Sequence, residues 1–434
     1  MGPLSVETLA AAAPIRRRSA YFARNNAWLS NGIEALVSNL VGTGIRPASA
    51  HPDPATRQAL QRLFARWVTR ADAEGLTDFY GLQALAVRQL VEAGECFAHM
   101  LPTEDTPGVP LRLRLLDAEL IDPGHTVALR PGGEVVGGIE FDAGGRRVAY
   151  HVARRRPPDV FATTLPPVRV PAADVVHLFQ PLAPGQVRGV AWTAPVLLRL
   201  HELDEMEDAQ LVRQKVAAMF AAFITDPNEP ALNPFGTDGA ALPTLEPGTT
   251  QMLPPGADVK FATPGEASEG VAFLKMQLRA VAAGLGVPEY LLTGDLSDAN
   301  YSSLRAALVQ FRRRVETLQY SLIIHQFCRP VWERFVTLAV LSGALDAPDF
   351  EDRMDDYLAA EWYPPAQDWV DPLKDAEAEA QAVAAGFKSR RQVVAERGYD
   401  LEALDAEIAA DRAREAALGL DFTAAAKGAP DART

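Results

Sequence analysis

The sequence predicts a mainly helical α+β protein. Apolar residues recur at helical spacing over most of the chain, the period drops to two across residues 95–179, and helical spacing returns beyond Trp192. A chain of 434 residues can bury a large core and hold two or three structural units.

The elements follow in order. Residues 1–18, Ala-rich and ending in Arg16, Arg17 and Arg18, are expected to form a flexible arm. Trp28, Leu29, Ile33, Leu36, Val37 and Leu40 place a helix over residues 21–41, stopped by Gly42 and Gly44. A second helix is predicted over 54–70. A third covers 78–93, with Asp78 as N-cap and Gly94 beyond its end.

Residues 111–116 then alternate in polarity. Strands over 135–142 and 146–153 flank Ala143, Gly144 and Gly145, the signal of a hairpin, and 174–179 reads as a last strand. Helix is predicted again over 192–224. A Pro- and Gly-rich stretch follows, with strand candidates at 249–253 and 259–262.

Another helix covers 266–285. It breaks at a turn-rich loop running from Gly284 to Ser303, which opens into a long Arg-bearing helix over 304–341. Helices over 372–385, 389–397 and 401–418 close the chain, and the last residues, 421–434, are expected to be disordered.

Composition excludes several classes of function. The 48% hydrophobic and 23% charged fractions are those of an ordinary globular protein. No stretch approaches the ~18 apolar residues of a membrane span. Cys96 and Cys328 stand in no metal or redox spacing, which suits a reducing cytoplasm.

The net charge of −14 disfavours a tight grip on nucleic acid, since phosphate contacts need cations. It fits a surface past which DNA slides. Acidic residues crowd 345–379, while the long helix carries Arg305, Arg312, Arg313, Arg314, Arg329 and Arg334. Three consecutive arginines fan around a helix and cannot share one groove. A solvated or inter-subunit face and phosphate contact in a channel both remain open for them.

Catalytic signatures are missing. There is no phosphate-binding Gly-x4-Gly-Lys loop and no Gly-x-Ser-x-Gly turn. Gly42, Thr43 and Gly44 follow a helix, not the strand a dinucleotide site needs. His201 and Glu202 open a zinc-protease pattern that Glu205 breaks. Asp295, Asp298 and Asn300 have the flavour of a cation loop without its spacing, and capping of the next helix explains them better. No catalytic residue, cofactor or metal is expected.

Several stretches, in order, resemble the lambda family of phage portal proteins. Residues 24–47, with Val41, Gly42, Thr43, Gly44 and Ile45 as the stop, are similar to that family's N-terminal helix. Asp78, Phe79, Tyr80 and Gly81, then Gly94 and Glu95, match the next. Residues 138–142, 147–151 and 176–179 are similar to its β unit, and Pro184, Gly185, Gln186, Val187, Arg188 and Gly189 with Trp192 to its following helix entry. Residues 284–288 and 294–303 with Arg305 are the most distinctive match. Trp369, Asp371, Pro372 and Lys374 fit the C-terminal signature.

The resemblance implies a portal-type fold with a mixed α/β wing, a helical stem, a small β-containing clip and a helical crown. Implied boundaries are an arm at 1–18, wing at 19–195, first stem helix at 196–224, clip at 225–265, second stem helix at 266–286, tunnel loop at 287–303, a long helix returning to the wing at 304–345, acidic segment and crown at 346–420 and tail at 421–434. It implies a ring of identical subunits, dodecameric, at one capsid vertex, with no enzymatic activity of its own.

Double-stranded DNA would pass non-specifically through that ring during packaging and ejection. The terminase large subunit, the capsid protein and head–tail connector proteins would dock on it, in a virion assembled in the host cytoplasm and without a membrane. Ser297, Asp298, Asn300, Tyr301 and Arg305 would face the channel. The alternatives are a metal-dependent DNA-processing hydrolase and another virion shell or scaffold component.

Overall fold

Arg16 decides the conformation of the N-terminus. The computed structural model describes residues 4–103, 108–129, 131–154, 166–218, 222–225, 258–261, 267–297, 300–366 and 372–420, with backbone alone at 4–5, 216–218, 222–225, 258–261, 267–269 and 301–302. Where the sequence suggested a flexible arm, the chain forms helix α1 (Leu4–Asn25), with Ala12, Arg16 and Ser19 buried. The correction has a physical cause. Arg16 pairs with the buried Glu95, and the Ser19 hydroxyl accepts from Thr193 Oγ1 at 2.7 Å. Charge patterning alone reads such an Arg as solvated.

Asn26 ends α1, and its side chain accepts from Leu29 N to start α2 (Ala27–Leu40). The single predicted helix over 21–41 is therefore two. Strand β1 (Arg46–Ser49) follows, then α3 (Pro54–Val68), capped by Asp53. Helix α4 (Phe79–Ala93) is capped by Asp78 and closed by Gly94 at φ 87°, as the sequence predicts.

The β region splits into two sheets. Strands β2 (Glu95–Pro102) and β3 (Leu111–Leu116) pair antiparallel. A meander follows: β4 (Val127–Ala128), β5 (Glu134–Val136), β6 (Ile139–Phe141), β7 (Arg147–Val152) and β8 (Val168–Pro171). β9 (Val175–Phe179) returns to the other edge of β2.

The predicted strand over 135–142 is instead a hairpin of β5 and β6. Gly137 and Gly138 both take positive φ, 58° and 79°, as a two-residue hairpin turn requires. Phe97, Leu116, Ile121, Ile139, Tyr150 and Val175 form a core shared by the two sheets.

The chain divides into two compact units, residues 198–281 and the remainder. The smaller contains most of α5 (Leu197–Ala218) and α6 (Ala267–Leu285), and the pair β10 (Ala222–Thr225) and β11 (Asp258–Phe261). The predicted helix over 192–224 thus gives way to a strand at its end, because β11 supplies the pairing partner. The strand candidate at 249–253 and the tail at 421–434 lie outside the described residues.

In the larger unit α7 (Glu289–Thr293) precedes α8 (Tyr301–Leu318). Helical structure then continues to Leu341. Over Gln319–Cys328 its hydrogen bonds widen to the π pattern, and α9 (Arg329–Leu341) follows. Pro330 has no N–H to give, and the register changes just before it.

The far end of this long element packs by aromatic contact. Phe64 meets Phe335 and Trp332 at ring-centroid distances of 5.2 and 5.3 Å, both edge-on. Then come α10 (Met354–Leu358) and β12 (Ala360–Tyr363), the latter pairing antiparallel with β1. Helices α11 (Pro372–Ala384), α12 (Arg390–Glu396) and α13 (Leu401–Leu418) end the described chain.

Candidate functional site

Ser297 and Asn300, two of the predicted functional residues, sit on exposed ground before α8. Gly286, at φ 73°, ends the preceding helix, and a Cβ there would overlap the Arg314 guanidinium of α8. Helix α7 is anchored from below. Asn31 Nδ2 of α2 donates to the carbonyls of Leu291 and Leu292 at 2.9 and 2.8 Å. Leu292 is fully buried against Gly32, where a Cβ would stand 2.8 Å from its Cδ1.

Beyond this anchor the loop is braced by its own polar atoms. Gly294, at φ 70°, caps α7. Thr293 Oγ1 accepts from Asp295 N at 3.1 Å, and Asp295 Oδ1 accepts from Ser297 N at 2.9 Å. Asn300 Oδ1 accepts from Ser303 N at 2.9 Å, while Asn300 N donates to Ser303 Oγ at 3.3 Å. This reciprocal pair is a capping box. Gly294, Asp295, Leu296, Ser297 and Asn300 are all exposed.

Asn300 is thus a helix cap, one of the two readings the sequence left open. Ser297 sits at the exposed turn. Asp298 lies outside the described residues, and of Tyr301 only the backbone, the first residue of α8, is described. Arg305 turns to Asp375 of α11, with Nη2 3.5 Å from Oδ1. The loop residues brace their own backbone, whereas Arg305 faces the C-terminal helices.

Below the loop the long helix is fixed at its π segment. Gln319 Nε2 donates to Leu40 O at 3.0 Å, meeting the carbonyl end of α2, and Gln326 Oε1 accepts from Phe179 N at 2.9 Å. Sequence reading missed Asn31 and Gln319. A polar residue inside an apolar helical pattern was the available signal.

A buried ionic cluster lies at the junction of the two sheets. Glu95 is fully buried, and its two oxygens stand 2.8 and 2.9 Å from Arg188 Nε. It also pairs with Arg16 and accepts from Gly189 N at 2.9 Å. Arg188 Nη1 donates to the carbonyls of Ile121 and Gly137, at 2.9 and 2.6 Å.

Burial alone would raise the Glu95 pKa. The charges of Arg188 and Arg16, with hydrogen bonds from His177 and Arg188, hold it well below the usual carboxylate range instead. Burial drives His177 the other way, down to about 4, although Glu95 pulls it up. His177 is therefore neutral. Its Nε2, 3.1 Å from Glu95, is assigned the proton, and Nδ1 faces Arg147 Nη1 at 3.4 Å. Every member is satisfied, which gives the cluster a structural role.

Among the described residues no group of three or more His, Cys, Asp or Glu could hold a metal ion. Nor is any described helix long and apolar enough to cross a membrane.

Two sequence motifs far apart in the chain meet in this cluster: Gly94 and Glu95 with Arg188 and Gly189. They belong to the stretches that resemble portal proteins. A family model described as "Phage portal protein, lambda family" matches residues 3–319. This chain belongs to that family.

The relatives agree. The "Probable portal protein" of Halomonas phage phiHAP-1 is 25% identical over 424 residues, covering 94% of this chain and 81% of the relative. "Portal protein B" of Escherichia phage lambda is 23% identical over 456 residues, covering 92% and 83%. A solved chain from the neck of an empty gene transfer agent particle aligns at TM-score 0.51 and 17% identity, covering 86% of this chain and 91% of that one. The fold is the mainly helical α+β portal fold.

Proposed function

We propose that this portal-family chain assembles with copies of itself into a dodecameric ring at one vertex of a phage capsid. Double-stranded DNA passes through the ring during packaging and ejection. The terminase large subunit and then the head–tail connector proteins dock on it, and the capsid protein surrounds it. The observation that carries this reading is the match of the lambda-family portal model to residues 3–319. The solved neck chain supports the ring, being part of a neck computed with C6 symmetry.

In this reading residues 19–195 form the wing, joined by α1. α5 and α6 are the stem helices, with the clip between them at 225–265. Residues 287–303 are the tunnel loop, with Ser297 at its exposed turn, and α11 to α13 form a short crown. The chain performs no catalysis, and the motor is a separate protein. A net charge of −14 favours passage of phosphate over its retention.

Electron microscopy of particles from an infected or induced host, with the chain immunolabelled, tests the placement. Label at a single vertex is expected. Label spread over the shell would overturn the reading in favour of a shell component.

A further inference from the structure

Two arginines of α8, Arg305 and Arg312, share a cleft with carboxylates of the chain's own C-terminal helices. Arg305, Val309, Arg312 and Glu316 lie at helical spacing on one stripe of α8. Across a cleft of about 640 Å³ stand Asp375 and Glu379 of α11 and Glu396 of α12. Lys388 binds the last two together, at 3.0 Å from Glu379, and also pairs with Glu396. Arg305 Nη2 reaches across the cleft to Asp375 Oδ1 at 3.5 Å.

These C-terminal helices are held with little apolar burial. α11 and α13 bury no residue, and α12 buries Val394 alone among the described residues. Partly exposed ion pairs also tie them to the body, Arg57 with Glu402 and Arg391 with Glu361. Such pairs contribute little and are screened by salt. An element attached this way opens locally at low cost.

We propose that α11 and α12 form a strap whose carboxylates cover the arginine stripe of α8 and compete for it with the phosphodiester backbone of duplex DNA. With the strap down, Arg305 pairs with Asp375, Arg312 lines the covered cleft, and passing DNA meets little free cation. With it lifted, the stripe becomes a phosphate-contact row. The choice of DNA as competitor rests on the portal reading; the strap itself rests on the cleft and its charges.

The test measures binding of a short mixed-sequence duplex by the full chain across a salt series. Asp375→Asn with Glu379→Gln should tighten binding about three- to fivefold. Adding Arg305→Gln and Arg312→Gln should erase the gain and lower the salt slope by about 1.8. The control Glu407→Gln with Asp411→Asn removes the same charge from exposed positions on α13. An equal gain there, or no gain in the strap variant, overturns the proposal.

Should the strap variant misfold, hydrogen exchange of the native chain decides. Backbone amides of 372–396 should exchange faster as salt rises, and salt-independent exchange overturns the strap. Ring formation is scored separately by imaging. Rings without a strap effect sink the strap alone, while a strap effect without rings sinks the portal reading.

Discussion

Arg188 lies against Glu95 with its Nε 2.8 and 2.9 Å from the two carboxylate oxygens, and both side chains are buried. The pair joins β2 to the segment leading into α5, and through Arg16 it also holds α1. Removing one partner of a buried ion pair leaves the other uncompensated. Glu95→Gln should therefore destabilise the chain by about 3–5 kcal/mol in urea unfolding. Arg16→Met should cost less, because Arg188 still neutralises Glu95. An Arg16→Met loss as large as that of Glu95→Gln would show that Arg188 alone does not neutralise Glu95.

The same cluster sets a pH dependence. The folded pKa of His177 lies near 4, below the ordinary 6.5, so the unfolded chain takes up the proton first. Its contribution is complete above pH 6.5 and falls as the pH drops towards 4. Glu95, held low, keeps its own contribution above the usual carboxylate range and loses it as the pH falls through and below that range. Between pH 7 and 5 the native chain should lose about 2 kcal/mol more than His177→Gln. Parallel pH profiles in thermal melts would rule this out.

Gly189 makes the close approach behind the cluster. A Cβ there would stand 2.0 Å from the carbonyl oxygen of Gly94, which is backbone and cannot swing aside. Gly189→Ala should cost about 2 kcal/mol or more, in the manner of an overpacked core. A Tm unchanged from the native chain would mean that the backbones at Gly94 and Gly189 separate easily.

Asn300 should behave as a cap. Asn300→Ala is expected to cost about 1 kcal/mol, while Asn300→Asp keeps most of the stability. Both variants should still assemble. Loss of assembly by Asn300→Asp, with folding intact, would assign the side chain to an interface instead of to α8.

The anchor beneath the loop gives a separate readout. Asn31→Ala removes two hydrogen bonds to α7, worth about 1–2 kcal/mol locally. Hydrogen exchange over 287–297 should rise while the β sheets keep their protection. Uniform loss of protection would show that α7 unfolds only with the whole unit.

Local rules made much of this fold legible. Asp78 and Gly94 bound α4, the Asp142–Gly145 turn closes a hairpin, and α11 to α13 follow their sequence pattern closely. Long-range partners were not legible. Residues 1–18 looked like a flexible arm because the carboxylate that holds Arg16 is Glu95, 79 residues away. β12 fell within the acidic segment with no strand expected, because its partner is the distant β1. The loop at 287–303 was visible as a break with a capping cluster. Its anchor on Asn31, and the turn of Arg305 towards Asp375, depend on helices brought together only by folding.

The central claim is that copies of this chain close into a ring around DNA. Negative-stain imaging of the purified full-length chain, alone and with its capsid protein, tests it most directly. The account predicts closed rings of uniform subunit number with a central hole wide enough for a duplex. Monomers with a deep cleft in both preparations, or open sheets and shells, would contradict it.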